Sequence, residues 1–292
     1  MPKWLSGILL VLFVLFPKEV KEGVKGGLDN SFLVLVPSLF PYMIMSQCFI
    51  LTGGAEAVSR FLPISFFTGF SKKGAEIYFL SLFCGYPTGA RLASISYDKG
   101  EINKNEKLKL FAAANIPGFG FSIAFLGSYI FKNSWLGIKI YISFVLASVF
   151  IAFFLDFFLP CEESEIEKQS EMSFQGALVK SILDSSQSII TIIAFVCFFS
   201  SLIKIFSVFI KNELLLAVFS VFLEITNGIP MLMSRIQPPE AAIVFFTAFS
   251  GLSIIFQSVS FQKKQDINIF LFLILRVAFG ITAMLLFWLF TG

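Results

Sequence analysis

Ser81-Leu82-Phe83-Cys84-Gly85-Tyr86-Pro87-Thr88-Gly89-Ala90-Arg91 lies inside an apolar run, Ala75 to Tyr97, that otherwise reads as a membrane span. Gly85, Pro87 and Gly89 interrupt it. In hydrocarbon every freed N–H and C=O needs a partner, so a broken helix persists only where protein or a water-filled cavity surrounds it. Arg91 follows at once, and a charge at membrane depth marks a ligand or ion path. The stretch reads as one lip of a solute site, with the rest of the chain built to hold it and a second, related break.

The composition agrees with a bilayer setting. Of 292 residues, 57% are hydrophobic and 14% charged, against about 25% charged in soluble domains. Several runs approach the ~20 apolar residues that cross a membrane. The expected fold is an all-α polytopic membrane protein with two structural repeats, discontinuous helices and about eight or nine membrane segments. The net charge of +3 is spread over loops, which argues against a nucleic-acid partner. The chain has no His and its four Cys are scattered, so no metal site is expected. No phosphate loop appears, and no cofactor or enzymatic activity is expected.

Around the central stretch the chain divides into an N-terminal short helix and connector (1–30), a first repeat (31–160), an acidic linker (161–175) and a second repeat (176–292). Residues 17–30 read as a polar, Gly-containing connector. Gly53 to Phe70, with Glu56, Arg60 and Pro63, suits an interfacial helix. The first repeat breaks at 85–89 and again at Asn115-Ile116-Pro117-Gly118-Phe119-Gly120. The second breaks at Glu224-Ile225-Thr226-Asn227-Gly228 and at Ser250-Gly251. Leu28-Asp29-Asn30-Ser31 faces Leu183-Asp184-Ser185-Ser186, and Ser81-Leu82-Phe83 faces Ser220-Val221-Phe222. Paired Gly/Pro-interrupted segments in corresponding places are the sequence pointer to a midplane binding site in a transporter built of inverted repeats. The spans cross or are re-entrant; the sequence leaves both open, along with orientation and oligomeric state.

The candidate substrate-binding residues are Gly85, Tyr86, Pro87, Thr88, Gly89, Arg91, Asn115, Gly118, Thr226, Asn227, Gly228, Ser250 and Gly251, with Glu224 for coupling. The helix starting near Thr88 offers unpaired N–H groups, and Arg91 adds a fork suited to a carboxylate, so together they favour an anion. The other reading has Arg91 snorkel to the loop or pair with Asp98 or Glu224. The carbonyls around Asn115 and its amide either coordinate a cation or hydrogen-bond a substrate, or the segment marks a packing kink. Glu224 either serves proton or cation coupling or forms an ion pair with Arg91 or Arg235. Asp29, Asp184, Ser186 and Gln187 read equally well as helix caps. Arg276 in the last span has either a partner or an interfacial role.

VPSLFPYMI (36–44), GYPTGARL (85–92), NIPGFGF (115–121), LEITNG (223–228) and FSGLSIIFQ (249–257) occur in one order over most of the chain. On these pieces the chain resembles the nucleoside-recognition (Gate) domain family of bacterial membrane proteins, and within it the YlbJ-type sporulation integral membrane proteins. In similar proteins a Ser or Thr is expected near Asn115, where Ile116 and Pro117 stand here. The resemblance implies two gate repeats and passage of a nucleoside-like compound or a small anion such as dipicolinate. The expected partners are a small-molecule solute, the bilayer of the cell membrane and a coupling ion, proton or sodium. The alternative is a non-transporting scaffold or assembly factor in sporulation.

Overall fold

The computed structural model describes residues 3–54, 64–161, 172–262 and 267–291. These residues are helical throughout their ordered elements, with no strand among them. Among the described residues, five helical stretches are long and apolar enough to cross a membrane: Pro17–Leu51, Ser134–Asp156, Phe174–Phe209, Glu240–Ser260 and Ile269–Thr291. The chain is a multi-pass membrane protein. Residues 162–171 of the acidic linker and residues 55–63, half of the expected interfacial helix at 53–70, lie outside the described residues.

α1 (Lys3–Leu15) is apolar and turns Trp4, Leu10 and Val14 outward, as a lipid-facing helix does. Pro17 stands at the first position of α2 (Pro17–Asn30), where its missing N–H costs nothing. α2 continues through a π-helical turn, Ser31–Leu35, into α3 (Val36–Leu51). The expected connector at 17–30 is therefore helix. Its polar composition hid a packing face: Gly23 and Gly27 are buried, and a Cβ on Gly27 would stand 2.8 Å from the Cys197 Cα. Two backbones meet there, on small residues of the kind that lets membrane helices approach closely. The partner is α9 (Phe174–Phe209), which runs along both α2 and α3.

Side-chain caps start most of the remaining helices, satisfying otherwise orphaned amides. Ser71 caps α5 (Lys72–Cys84) at 3.1 Å, Asn103 caps α7 (Lys104–Ala113) at 2.8 Å, and Asn133 caps α8 (Ser134–Asp156) at 3.2 Å. Asn212 caps α10 (Glu213–Leu223) at 2.9 Å. Asp29 and Asp184 cap nothing. They lie inside long helices, and Asp184 accepts a 2.7 Å hydrogen bond from Gln47 Nε2.

The remaining elements are α4 (Ile64–Thr68), α6 (Thr88–Asp98), a π-helix at Phe121–Ile130, α11 (Ile225–Met233), α12 (Glu240–Phe249), α13 (Gly251–Ser260) and α14 (Ile269–Thr291). α14 packs on α12 and α8, and α8 packs on α7 and on the π-helix. All the expected breaks fall between short helices: α5/α6, α7/π-helix, α10/α11 and α12/α13.

Candidate functional site

The first two breaks touch. Gly85 adopts φ +71°, a left-handed conformation that L side chains rarely take. The Tyr86 amide then donates to the Ile116 carbonyl at 2.7 Å. A Cβ on Gly118 would lie 2.8 Å from the Gly85 nitrogen and 2.9 Å from the Phe83 carbonyl oxygen. A Cβ on Gly89 would run into the Ala114 carbonyl. Gly85, Gly89 and Gly118 thus serve the close approach of one break to the other.

The third break is organised by Glu224. Its Oε2 accepts from Thr226 Oγ1 at 2.7 Å, the Asn227 amide at 2.8 Å and Asn227 Nδ2 at 3.0 Å, and its Oε1 accepts from the Thr226 amide at 3.1 Å. Glu224 is the N-cap of α11, held at the positive end of that helix. The ion pairs of the alternative reading do not form among the described residues: Arg235 pairs with Glu213 at 2.8 Å instead. Asn227 also donates to Ser200 Oγ at 2.6 Å and accepts from Asn30 Nδ2, which ties the break to α9 and α2. Gly228 sits against the Val221 backbone. At the fourth break Ser250 is buried with φ +77°, and a Cβ on Gly251 would stand 3.3 Å from the Val221 carbonyl oxygen.

Arg276 joins the two sets. Its side chain is fully buried in α14. Nη1 donates to the Asn115 carbonyl at 2.7 Å, Nε donates to the Phe249 carbonyl at 3.4 Å, and Nη2 donates to the Ala248 carbonyl. Neither of the roles expected for Arg276 included a cap on helix ends. The signal was a lone cation in the last apolar run, but nothing in the sequence names a backbone partner.

A cavity of about 20 Å³ lies between the break sets, room for one water. Tyr86, Glu224, Thr226 and Gln257 give it polar walls; Leu35 and Ile192 are among its apolar ones. Tyr86 is buried and its hydroxyl makes no hydrogen bond, although both Arg276 and Glu224 act on it electrostatically. Asn115 is buried next to Ser258, which donates to its Oδ1 at 3.3 Å, and its Nδ2 is unpartnered.

Arg91 stands apart from this cavity. It donates from Nη1 to Ser188 Oγ and, at 3.3 Å, to the Asp184 carbonyl. It therefore pairs with neither Asp98 nor Glu224, as one sequence reading had it, but with a helix of the other half.

A second buried polar group lies around the start of α7, in the charged stretch 98–109. Lys109 is fully buried and donates to Asp156 Oδ1 at 2.6 Å and to the Gly69 carbonyl at 2.8 Å. Glu106 Oε1 accepts from the Ser71 amide at 2.8 Å. Burial pushes the Glu106 carboxyl above its usual range, and the Ser71 hydrogen bonds offset part of that rise.

The chain is 24% identical to the sporulation integral membrane protein YlbJ of Bacillus subtilis (strain 168), over 96% of this chain and 81% of that protein. No family model matches the chain. No solved structure matches it.

Proposed function

We propose that the protein is a secondary carrier that passes a small organic solute between its two sets of helix breaks. The carrying observation is the cavity where Tyr86, from the first half, meets Glu224 and Thr226, from the second, with the Tyr86 hydroxyl buried and unpartnered. A buried donor without a partner costs about 1–3 kcal/mol and is relieved by a guest that hydrogen-bonds to it. In this reading residues 31–160 and 176–292 are two gate repeats joined by the linker 161–175.

Two solute classes follow from the resemblance, nucleoside-like compounds and small anions of the dipicolinate kind. Glu224 is the charged residue among the cavity walls, and Arg91 is engaged elsewhere. That balance favours an uncharged solute rich in N–H and O–H donors over a carboxylate. The same carboxylate is the candidate partner for a coupling ion, proton or sodium. At about 20 Å³ the cavity offers a space far smaller than such a solute, so passage requires its walls to part.

The test is a thermal-shift screen of nucleosides against small carboxylates, followed by uptake of the stabilising compound into proteoliposomes. A binder raises the melting temperature by mass action. Uptake unchanged by both Tyr86→Phe and Glu224→Gln would remove the site assignment. The cavity's small size favours a second reading, a non-transporting membrane scaffold. Cysteine labelling at Thr88 and Asn227 separates the two, because a scaffold keeps both positions dry.

A further inference from the structure

Arg276 is a buried cation with no carboxylate paired to it among the described residues. Such a charge costs several kcal/mol unless it is neutralised. Its partners are two carbonyls in the last turn of one helix and one carbonyl just beyond the C-cap of another. Asn115 lies just past the end of α7, and Ala248 and Phe249 form the end of α12. The last carbonyls of a helix lack intrahelical partners, and each C-terminus carries about −0.5 of an elementary charge. Two such ends together supply about −1, the amount that one guanidinium needs. The planar fork also presents donors in more than one direction at once, which a lysine ammonium on one nitrogen does not do in fixed geometry.

We infer that Arg276 is a positioning residue that fastens the second break of each half to the last helix, making both break ends one cooperative unit. One helix end neutralises only half of the charge. Detaching either end therefore weakens the case for the other, and the two hold or release together. The cavity walls on the helices that follow these breaks, Phe121 and Ile254 among them, then move as a body, and any opening falls elsewhere. Phe279, one turn along α14, covers the guanidinium with its ring at 4.7 Å and supports the same placement. The inference does not depend on solute passage and would stand for a scaffold as well.

Hydrogen exchange of the full chain in nanodiscs tests it, with Arg276→Gln as the variant. Amides in 114–120 and in 248–254 are expected to exchange at least about tenfold faster, in step, while 189–203 of α9 keep their protection. Release of one segment alone, of neither, or a uniform rise that includes α9 would overturn the inference. If Arg276→Gln does not yield folded protein, Arg276→Lys serves. It keeps the charge on a single nitrogen and is expected to loosen both segments in step; release of one alone, or wild-type protection in both, would overturn the inference equally.

Discussion

The backbone of Tyr86 is hydrogen-bonded to the backbone of Ile116, amide to carbonyl at 2.7 Å, so the first two helix breaks form one sheetless junction closed by main chain. Gly118 makes the contact possible. Its replacement by Ala puts a methyl 2.8 Å from the Gly85 nitrogen, where only main-chain movement gives relief. Gly118→Ala is expected to lower stability by about 1–3 kcal/mol, read as a lower melting temperature in detergent. An unchanged melt would show that the junction is looser than its distances indicate.

Gly26 and Gly27 are neighbours with opposite expectations. A Cβ on Gly26 meets nothing within 4 Å, whereas one on Gly27 meets the Cys197 Cα at 2.8 Å. Gly26→Ala is expected to stabilise α2 by up to about 1 kcal/mol through helix propensity. Gly27→Leu should destabilise by about 1–3 kcal/mol by forcing α2 from α9. Melting curves of both variants check the register of these helices, since a shift by one residue would exchange the two results.

The breaks themselves were readable because Gly and Pro cluster there with polar residues inside apolar runs, whereas lone ones such as Pro41 and Gly280 sit within continuous helices. What lies between them was not readable. Arg276 binds main-chain carbonyls, which every residue carries, so no sequence pattern marks its partners. Arg91 finds Ser188 and the Asp184 carbonyl across the two halves, against nearer acids in sequence. Residues 17–30 looked like a connector because their helical face is formed of glycines, which add no hydrophobic signal. The π-helix at Phe121–Ile130 winds more widely than an α-helix, so a 3.6-residue period does not sort its faces.

Glu224→Gln keeps one acceptor oxygen and turns the other into a donor facing the donors of α11. Oε2 accepts from three groups and Oε1 from one, so the amide oxygen is expected at the first position and its NH₂ against the Thr226 amide. The expected cost is about 1–3 kcal/mol. Glu224→Ala, which removes the cap altogether, should cost at least as much. Melting temperatures order the two variants, and faster exchange confined to Ile225–Met233 assigns the loss to α11.

Glu106 carries a pH dependence. Its folded pKa is raised above the unfolded value by burial. The sign follows from linkage: the carboxyl's contribution is fully present below its unfolded pKa and is lost as pH rises through the raised folded pKa. A series of melts from acidic pH upward should therefore show a falling contribution from this carboxyl. Glu106→Gln, which keeps an oxygen for the Ser71 amide, is expected to flatten that slope. An identical slope in the variant would assign the effect to another group.

The unbroken stretches Pro17–Leu51 and Phe174–Phe209 contain 35 and 36 residues. At 1.5 Å per residue each is about 53 Å long, against about 30 Å of hydrocarbon. Inclination alone would have to reach about 55° to hide that length, beyond the 0–40° range of membrane helices. Part of this antiparallel pair must therefore project into the headgroups or the water beyond, as a mast clear of the oil. Lys18, Lys21 and Lys25 along α2, and Lys204 on the part of α9 beside them, are side chains suited to such a wet setting.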